Sequence, residues 1–351
     1  LCEPVTVQVA AGMITGDTEI TLTIDGSHLT GAAVVMDTVY VYGAAGTRLV
    51  FLNHEDITNA AQTLSIRPVI GTTAKCGDDK VIPVSETVTL TDTVTYAGIT
   101  PGKIYTVTGT LMNADTGAAL LDSDGKAITA SRTFTASASY GEIDVSFTAV
   151  HIAMDVKNVV VFEDLYDEGG VKVVSHADIS DEGQTVHRPG IKTTAVDSAT
   201  GSKSMIASET VSITDTVSYT NLTVGKEYTV TGTLMNADTG EALKDASGKI
   251  ITSSTTFTPT ASIGTVDVQF KDVYIPFSVS RTVVFEDVFD THSNILVGTH
   301  ADISDEGQRV SRPGVGTTAT VDGNKSISLE GKTVFLIKYP LLVTEFMWCW
   351  G

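Results

Sequence analysis

Cysteine is scarce in this 351-residue chain. Cys2, Cys76 and Cys349 fall at unrelated places in the repeat pattern described below, so neither a disulfide framework nor a zinc site is expected. Aromatic residues make up only 7%. Basic residues are few as well, 22 against 42 acidic ones, and the net charge of −20 argues against nucleic acid or an anionic membrane as a partner. Long apolar runs are missing: the most apolar stretch, FLIKYPLLVTEFMWCWG, is broken by Lys338, Pro340 and Glu345, so no membrane insertion is expected. Position 1 is Leu and no secretory leader follows it. The start therefore reads as a cut through a longer protein, whose signal and anchor lie outside this text.

Thr, Ser, Val, Asp and Gly punctuate nearly every stretch instead, a composition that suits β-sandwiches with Thr-rich faces. The chain also repeats itself at a lag of about 120 residues, the size of a whole domain. YTVTGTLMNADTG stands at Tyr105–Gly117 and again at Tyr228–Gly240, and VVFED at Val160–Asp164 and Val283–Asp287. HADISDEGQ begins at His176 and at His300, with a looser copy, HEDITNAAQ, at His54. Taking Arg67-Pro68, Arg188-Pro189 and Arg312-Pro313 as punctuation, residues 1–68 are the second half of a module, 69–189 and 190–313 are complete modules, and 314–351 begin another with an aberrant tail. In that last piece Lys338 takes the register of Asp215, and a frame-shifted or truncated end is the expected reading.

Alternation with period 2 marks the strands. Tyr228, Val230 and Leu234 share one face while Thr229, Thr231 and Thr233 share the other; Val266, Val268 and Phe270 form another apolar face. With turn sequences such as NADTG and DASGK between them and no helical stripe, the expected fold is all-β, a tandem array of immunoglobulin-like sandwiches. The same parity creates an anomaly. Asp215 lies on the apolar face with Val211, Ile213, Val217 and Tyr219, and Asp92 does so with Val88, Leu90, Val94 and Tyr96. Glu163 and Glu286 likewise share parity with apolar neighbours. A buried carboxylate must neutralise or find partners, and two of them close together can share one proton.

The other repeated polar residues suggest a chemistry. Parity turns the first Thr of each TTA inward, Thr72 and Thr193. His176 with Gln184, and His300 with Gln308, complete a set of hydroxyl, imidazole, acid pair and carboxamide. A Thr hydroxyl beside a base is an activated nucleophile, and a protonated acid near the amide oxygen would stabilise the tetrahedral intermediate. Attack on the module's own Gln would give an internal ester and ammonia, a single-turnover self-crosslinking and not enzymatic turnover.

TTA, TDTVSY, YTVTGTLMN, VVFED and HADISDEGQ, in one order and present twice, resemble the VaFE-type repeats, or T-Q ester-bond domains, of Gram-positive surface adhesins and pilus-like stalks. The resemblance implies a Thr72–Gln184 ester assisted by His176, Glu163 and Asp92, and a Thr193–Gln308 ester assisted by His300, Glu286 and Asp215. It implies an extracellular, cell-wall location, no cofactor or metal, and a host surface or matrix ligand bound by a region outside this sequence. VVMDTV is read as putting Met36 in the place of the Glu, and no first-strand Thr precedes His54 and Gln62, so no bond is expected there. The last piece has Thr317 but no Gln.

Other readings predict other features. A host matrix or glycan binding module without an internal crosslink calls for an exposed aromatic patch, which the low aromatic content disfavours. A hydrolase acting on an external substrate fits poorly with duplicated inward sites. A Lys–Asn isopeptide needs an inward Lys on the first strand; Lys75 has no later equivalent and Lys192 has the opposite parity to Thr193. DISDE lacks the ligand ladder of a calcium loop and reads as a solvated acidic turn.

Overall fold

The computed structural model describes residues 17, 19–24, 29–43, 46–314, 318–320, 325 and 336–338. Thr317 and nearly all of the apolar tail lie outside them. Among the described residues the chain is strand, turn and one short 3-10 segment, with no helix long and apolar enough to cross a membrane.

Four short strands come first: β1 (Ala32–Val34), β2 (Asp37–Tyr42), β3 (Arg48–His54) and β4 (Thr63–Ser65), with β1 paired to β4 and β2 to β3. Eight follow: β5 (Val69–Cys76), β6 (Val88–Ala97), β7 (Ile104–Asn113), β8 (Thr129–Thr135), β9 (Tyr140–Val150), β10 (Asn158–Asp167), β11 (Lys172–His176) and β12 (Thr185–His187). The next eight reproduce that series: β13 (Gly190–Asp197), β14 (Thr210–Thr220), β15 (Tyr228–Asn236), β16 (Thr252–Phe257), β17 (Gly264–Tyr274), β18 (Arg281–Asp290), β19 (Leu296–His300) and β20 (Arg309–Ser311). In each series a three-stranded sheet, β5-β6-β9 or β13-β14-β17, accompanies a five-stranded one. The latter runs β8-β7-β10-β11 or β16-β15-β18-β19, with β12 or β20 added to its third strand. This is the expected sandwich architecture, made twice. Two further strands, β21 (Thr318–Thr320) and β22 (Leu336–Lys338), pair so that Ile337, not Lys338, stands opposite Ala319, the place Asp215 holds opposite Ala195.

Contacts gather the described residues into two compact units. One draws on Leu1–Ala74, Thr89–Thr148 and Val160–Thr185; the other on Lys75–Val88, Ala149–Val159 and Val186–Gly351. In the first, Leu90, Val94, Val107, Leu111, Val145, Phe147, Val161 and Leu165 are buried. The second has a core in which Ile213, Val217, Tyr228, Leu234, Val268, Phe270, Val284 and Val288 pack together. Each such side chain contributes roughly 1.5–3 kcal/mol when fully removed from water. The Thr residues on the opposite parity join strands across the wet face, as Thr229 does with Thr256 at 3.0 Å and Thr106 with Thr133 at 2.9 Å. Alternation thus separates a dry side from a Thr-laced wet one, and it carries the inward polar residues into the dry side.

Candidate functional site: an acid pair, a threonine and a glutamine in each sandwich core

The inward acids are where parity puts them. Asp92 and Asp215 are 0% exposed, and Glu163 and Glu286 are 1% exposed. Their neighbours are apolar: Asp215 lies opposite Val268 on β17, and Glu286 opposite Gly232 on β15. A Cβ on Gly232 would lie 2.9 Å from the Phe270 ring, and one on Gly109 2.8 Å from Phe147. These inward glycines give the ring its space, and the aromatic helps keep water from the acids.

Within each core the Glu carboxyl takes the Gln carboxamide and lies beside the Asp carboxyl and the Thr hydroxyl; the Thr72 and Thr193 hydroxyls and both Asp215 oxygens are buried without a hydrogen-bond partner of ordinary geometry. Burial first, and then the neighbouring Asp, push Glu163 and Glu286 far above the usual carboxylate range. Burial also raises Asp215, against the opposing influence of the neighbouring Glu286 carboxyl, the Thr193 hydroxyl and the Lys203 and His300 side chains. Two carboxyls in contact at a dry centre attract only with a proton between them, so the pair holds one proton and Glu is the member that favours keeping it.

The carboxamide is held against that acid. Gln184 Nε2 donates to Glu163 Oε2 at 2.5 Å, and Gln308 Nε2 to Glu286 Oε2 at 2.7 Å. Both Gln side chains are 0% exposed. The amide nitrogen, not the oxygen, therefore faces the acid, while Oε1 of each Gln is buried and accepts no hydrogen bond. Backbone bonds fix the Gln from behind: Val161 N–H donates to the Gln184 carbonyl at 3.2 Å, and Val284 N–H to that of Gln308 at 3.4 Å.

The opening strand brings the hydroxyl. Thr193 is buried and Thr194 exposed; Thr72 is half-buried and Thr73 exposed. Lys75 and Lys192 are exposed, which leaves no inward Lys on β5 or β13 for an isopeptide. Ala74 N–H donates to the Gly183 carbonyl at 2.9 Å, and Ala195 N–H to that of Gly307 at 3.0 Å. These two bonds tie the residue two places after the Thr to the residue just before the Gln. Space is tight at that point: a Cβ on Gly183 or Gly307 would lie 3.2 Å from the backbone oxygen of Thr72 or Thr193, and still nearer the Asp181 or Asp305 side chain.

His176 and His300 stand opposite Glu163 and Glu286 across the strand pairs. Each is held by an Asp that the sequence reading treated as part of a solvated turn. His176 Nε2 lies 2.9 Å from Asp181 Oδ2, and His300 Nε2 2.8 Å from Asp305 Oδ2. The signal was in the text, an Asp five residues after the His in both full copies. Lys203 was also missed. It donates to the carbonyls of Ala195, at 2.6 Å, and Gly307, clamping the same junction with a cation that partly offsets the effect of burial on Asp215.

The N-terminal copy departs from the sequence reading. Strand register places Asp37, not Met36, opposite His54, and Gln62 Nε2 donates to Asp37 Oδ2 at 3.0 Å. Asp37 thus holds the place of Glu163 and Glu286, one residue beyond the Met36 that the sequence repeat points to. His54 Nε2 meets Asn59 Nδ2 at 2.9 Å, with Asn in the place of Asp181 and Asp305.

A family model described as T-Q ester bond containing domain matches residues 4–66, 68–188 and 189–312. Among solved structures, a bacterial adhesin from Mobiluncus mulieris containing intramolecular disulfide, isopeptide and ester bond cross-links is similar at 15% identity, over 73% of this chain and 89% of that one, with a TM-score of 0.30. A second crystal form of it is similar at 14% identity, over 77% and 93%, also with a TM-score of 0.30. A tetra-tandem repeat from the extending region of a large adhesion protein is similar at 14% identity, over 90% and 86%, with a TM-score of 0.20. No curated protein matches. The assignment rests on the family model, whose three consecutive matches span most of the sequence: the chain belongs to the family of T-Q ester bond containing domains.

Proposed function

We propose that each complete module, 69–189 and 190–313, closes its own core with a Thr–Gln ester, Thr72 to Gln184 and Thr193 to Gln308, and that the array serves as a crosslinked stalk segment of a bacterial surface protein. The observation that carries this reading is the buried Gln amide nitrogen seated on a proton-holding Glu, in contact with an Asp and a Thr. The Thr oxygen attacks the Gln side-chain carbonyl carbon and its proton passes to Asp92 or Asp215. The C–N bond breaks as Glu163 or Glu286 gives its proton to the leaving nitrogen. An ester and ammonia result, and the acid pair still holds one proton, moved from Glu to Asp. No cofactor enters this balance.

Burial makes the step favourable in two ways. A dry site strengthens every charge interaction with the developing transition state, and the folded chain presents the hydroxyl at high effective concentration. The product ties the opening strand to the segment before the closing strand, across a loop of roughly 110 residues, for which the chain-entropy treatment of disulfides gives about 4–5 kcal/mol. Tension applied at the module's ends would then run through the bond and bypass the strands between. A protein with three cysteines gains in this way what a disulfide supplies, without sensitivity to reduction. The array is placed outside the cell, on the cell wall, with ligand binding assigned to a region beyond this sequence.

Intact-mass measurement of the purified chain tests the ester. The expected result is the loss of one ammonia per complete module, abolished in the first by Thr72→Ala or Gln184→Ala and in the second by Thr193→Ala or Gln308→Ala. An unmodified mass in well-folded protein sinks the proposal.

A further inference from the structure

A lysine recurs shortly after the opening strand. Lys80 and Lys203 each stand five residues before the Ser of SETV, and Lys325 follows the last TTA by six residues. The first two have the same backbone seat: His187 N–H donates to the Lys80 carbonyl at 2.6 Å, and Ser311 N–H to that of Lys203 at 2.7 Å. From there Lys203 Nζ donates to the Ala195 carbonyl at 2.6 Å and to the Gly307 carbonyl. Lys325 Nζ donates to the Ala319 carbonyl at 3.0 Å, and Ala319 holds the place of Ala195. No Gln follows Thr317 in this sequence, so that bond to the strand is made without a Gln-bearing loop.

The two carbonyls that Lys203 grips flank both reactants. Ala195 lies two residues after Thr193, and Gly307 is the residue before Gln308. Carbonyl oxygens that converge on one point repel each other, and a cation between them turns the repulsion into attraction. The Gly307 oxygen already accepts the Ala195 N–H at 3.0 Å. A single bond leaves the loop free to swivel about it; the ammonium adds a charge-assisted second bond at that oxygen and ties it to a second point on the strand. Asp215, Asp305 and Glu306 favour the charge on Lys203, against the burial that lowers it.

We infer that Lys203 is a positioning residue for the ester of the second module, an ammonium clamp that sets the opening strand and the Gln loop in register before the bond forms. Lys80, in the same seat, takes that part in the first module. The inference rests on the ester reading above and adds to it a residue that acts through backbone carbonyls and not on the reacting atoms. Until the ester exists, only noncovalent contacts hold Thr193 against Gln308, and a misplacement of about 1 Å costs about 100-fold in rate. Loss of the clamp lets the loop drift by a fraction of that distance, which corresponds to a slowing of about tenfold. Once the bond has formed, the clamp has nothing left to position.

The rate of ammonia loss, read by intact mass in the whole chain, tests this. A Thr72→Ala background leaves one ester, that of the second module, and each chain is isolated unfolded and then refolded. Lys203→Met, similar in length but without charge or donor, should reach the same final mass about tenfold more slowly. Lys203→Arg, which keeps both, should recover most of the lost rate. The rates are measured without denaturant, with folding followed by circular dichroism, so that a residue that only adds stability leaves the folded population, and hence the rate, unchanged. Lys203→Gln, neutral and shorter, should be as slow as Lys203→Met and takes its place where that chain does not fold. An unchanged rate in a folded neutral variant overturns the clamp while the ester stands. No recovery in Lys203→Arg, with the fold intact, also overturns it. No ammonia lost from the Thr72→Ala chain overturns the ester and the clamp with it.

Discussion

The site around Gln62 and the two around Gln184 and Gln308 share one contact and differ in almost everything that surrounds it. In all three the Gln amide nitrogen meets the carboxyl that stands opposite a histidine. At the N-terminal site that carboxyl is Asp37, exposed on β2, and the histidine's partner is the neutral Asn59. In the complete sandwiches it is a Glu at 1% exposure, paired with a second buried acid, and the histidine's partner is a carboxylate. A Gln–acid contact by itself is therefore an ordinary hydrogen bond. It becomes a proposed reaction centre when the core withdraws water, an Asp joins the Glu and an inward Thr closes the set.

The sharpest way to break the contrast is to remove the crosslink from a complete module. Thr193→Ala should lower the melting temperature of that module by on the order of 10 °C, read by calorimetry beside Thr72→Ala, which should do the same in the other. Glu163→Asp gives a complete module the acid of the N-terminal site and draws the carboxyl back from the amide nitrogen. Ammonia release should slow by about 100-fold, followed by mass after refolding, as expected for a displacement of about 1 Å at the reacting centre. Gly307→Ala forces a Cβ against the Thr193 carbonyl and should cost about 1–3 kcal/mol in a denaturant melt, while Gly314→Ala, where nothing lies within 4 Å, should cost nothing measurable.

A pH series separates the buried acid from its surroundings. Glu286 is raised in the folded state, by burial first, so the folded chain keeps a proton that the unfolded chain releases. Its contribution to stability is complete below the unfolded value of about 4.3 and declines as pH rises above it. In a Thr193→Ala background, where no ester forms, stability should fall with rising pH, and Glu286→Gln should flatten the slope. The smallest effect is expected at the N-terminal site: Asn59→Asp restores the carboxylate beside His54, yet intact mass should still show one ammonia lost per complete module and none more.

Much of this was legible because strand parity is a strict rule. A period of two sends Asp92, Asp215, Glu163 and Glu286 to the same side as Val94, Val217, Val161 and Val284, whatever the residues prefer. What remained hidden depended on places where the backbone leaves the regular ladder. Asp181 and Asp305 sit in a loop, where spacing carries no facing rule, and so their grip on the histidines could not be told from a solvated turn. The position of Asp37 depended on which residue a register sets opposite His54, and an alignment one residue out chose Met36 instead. Lys203 reaches the junction only because its loop folds back on Ala195 and Gly307.

The amino-acid order alone determined the repeat, the all-β class and the inward direction of a Thr and two acids in each complete module, since all of these follow from self-similarity and alternation. Only the tertiary structure decided that Glu meets the amide nitrogen, that the histidine lies between two acceptors, and that a glycine lets the closing loop touch the opening strand. The reach of the histidine to Ile70 or Ile191 and of the glycine loop to the opening strand joins residues more than 100 positions apart, brought together by the packing of one sheet on the other, whereas Glu and Gln stand only 21 and 22 positions apart.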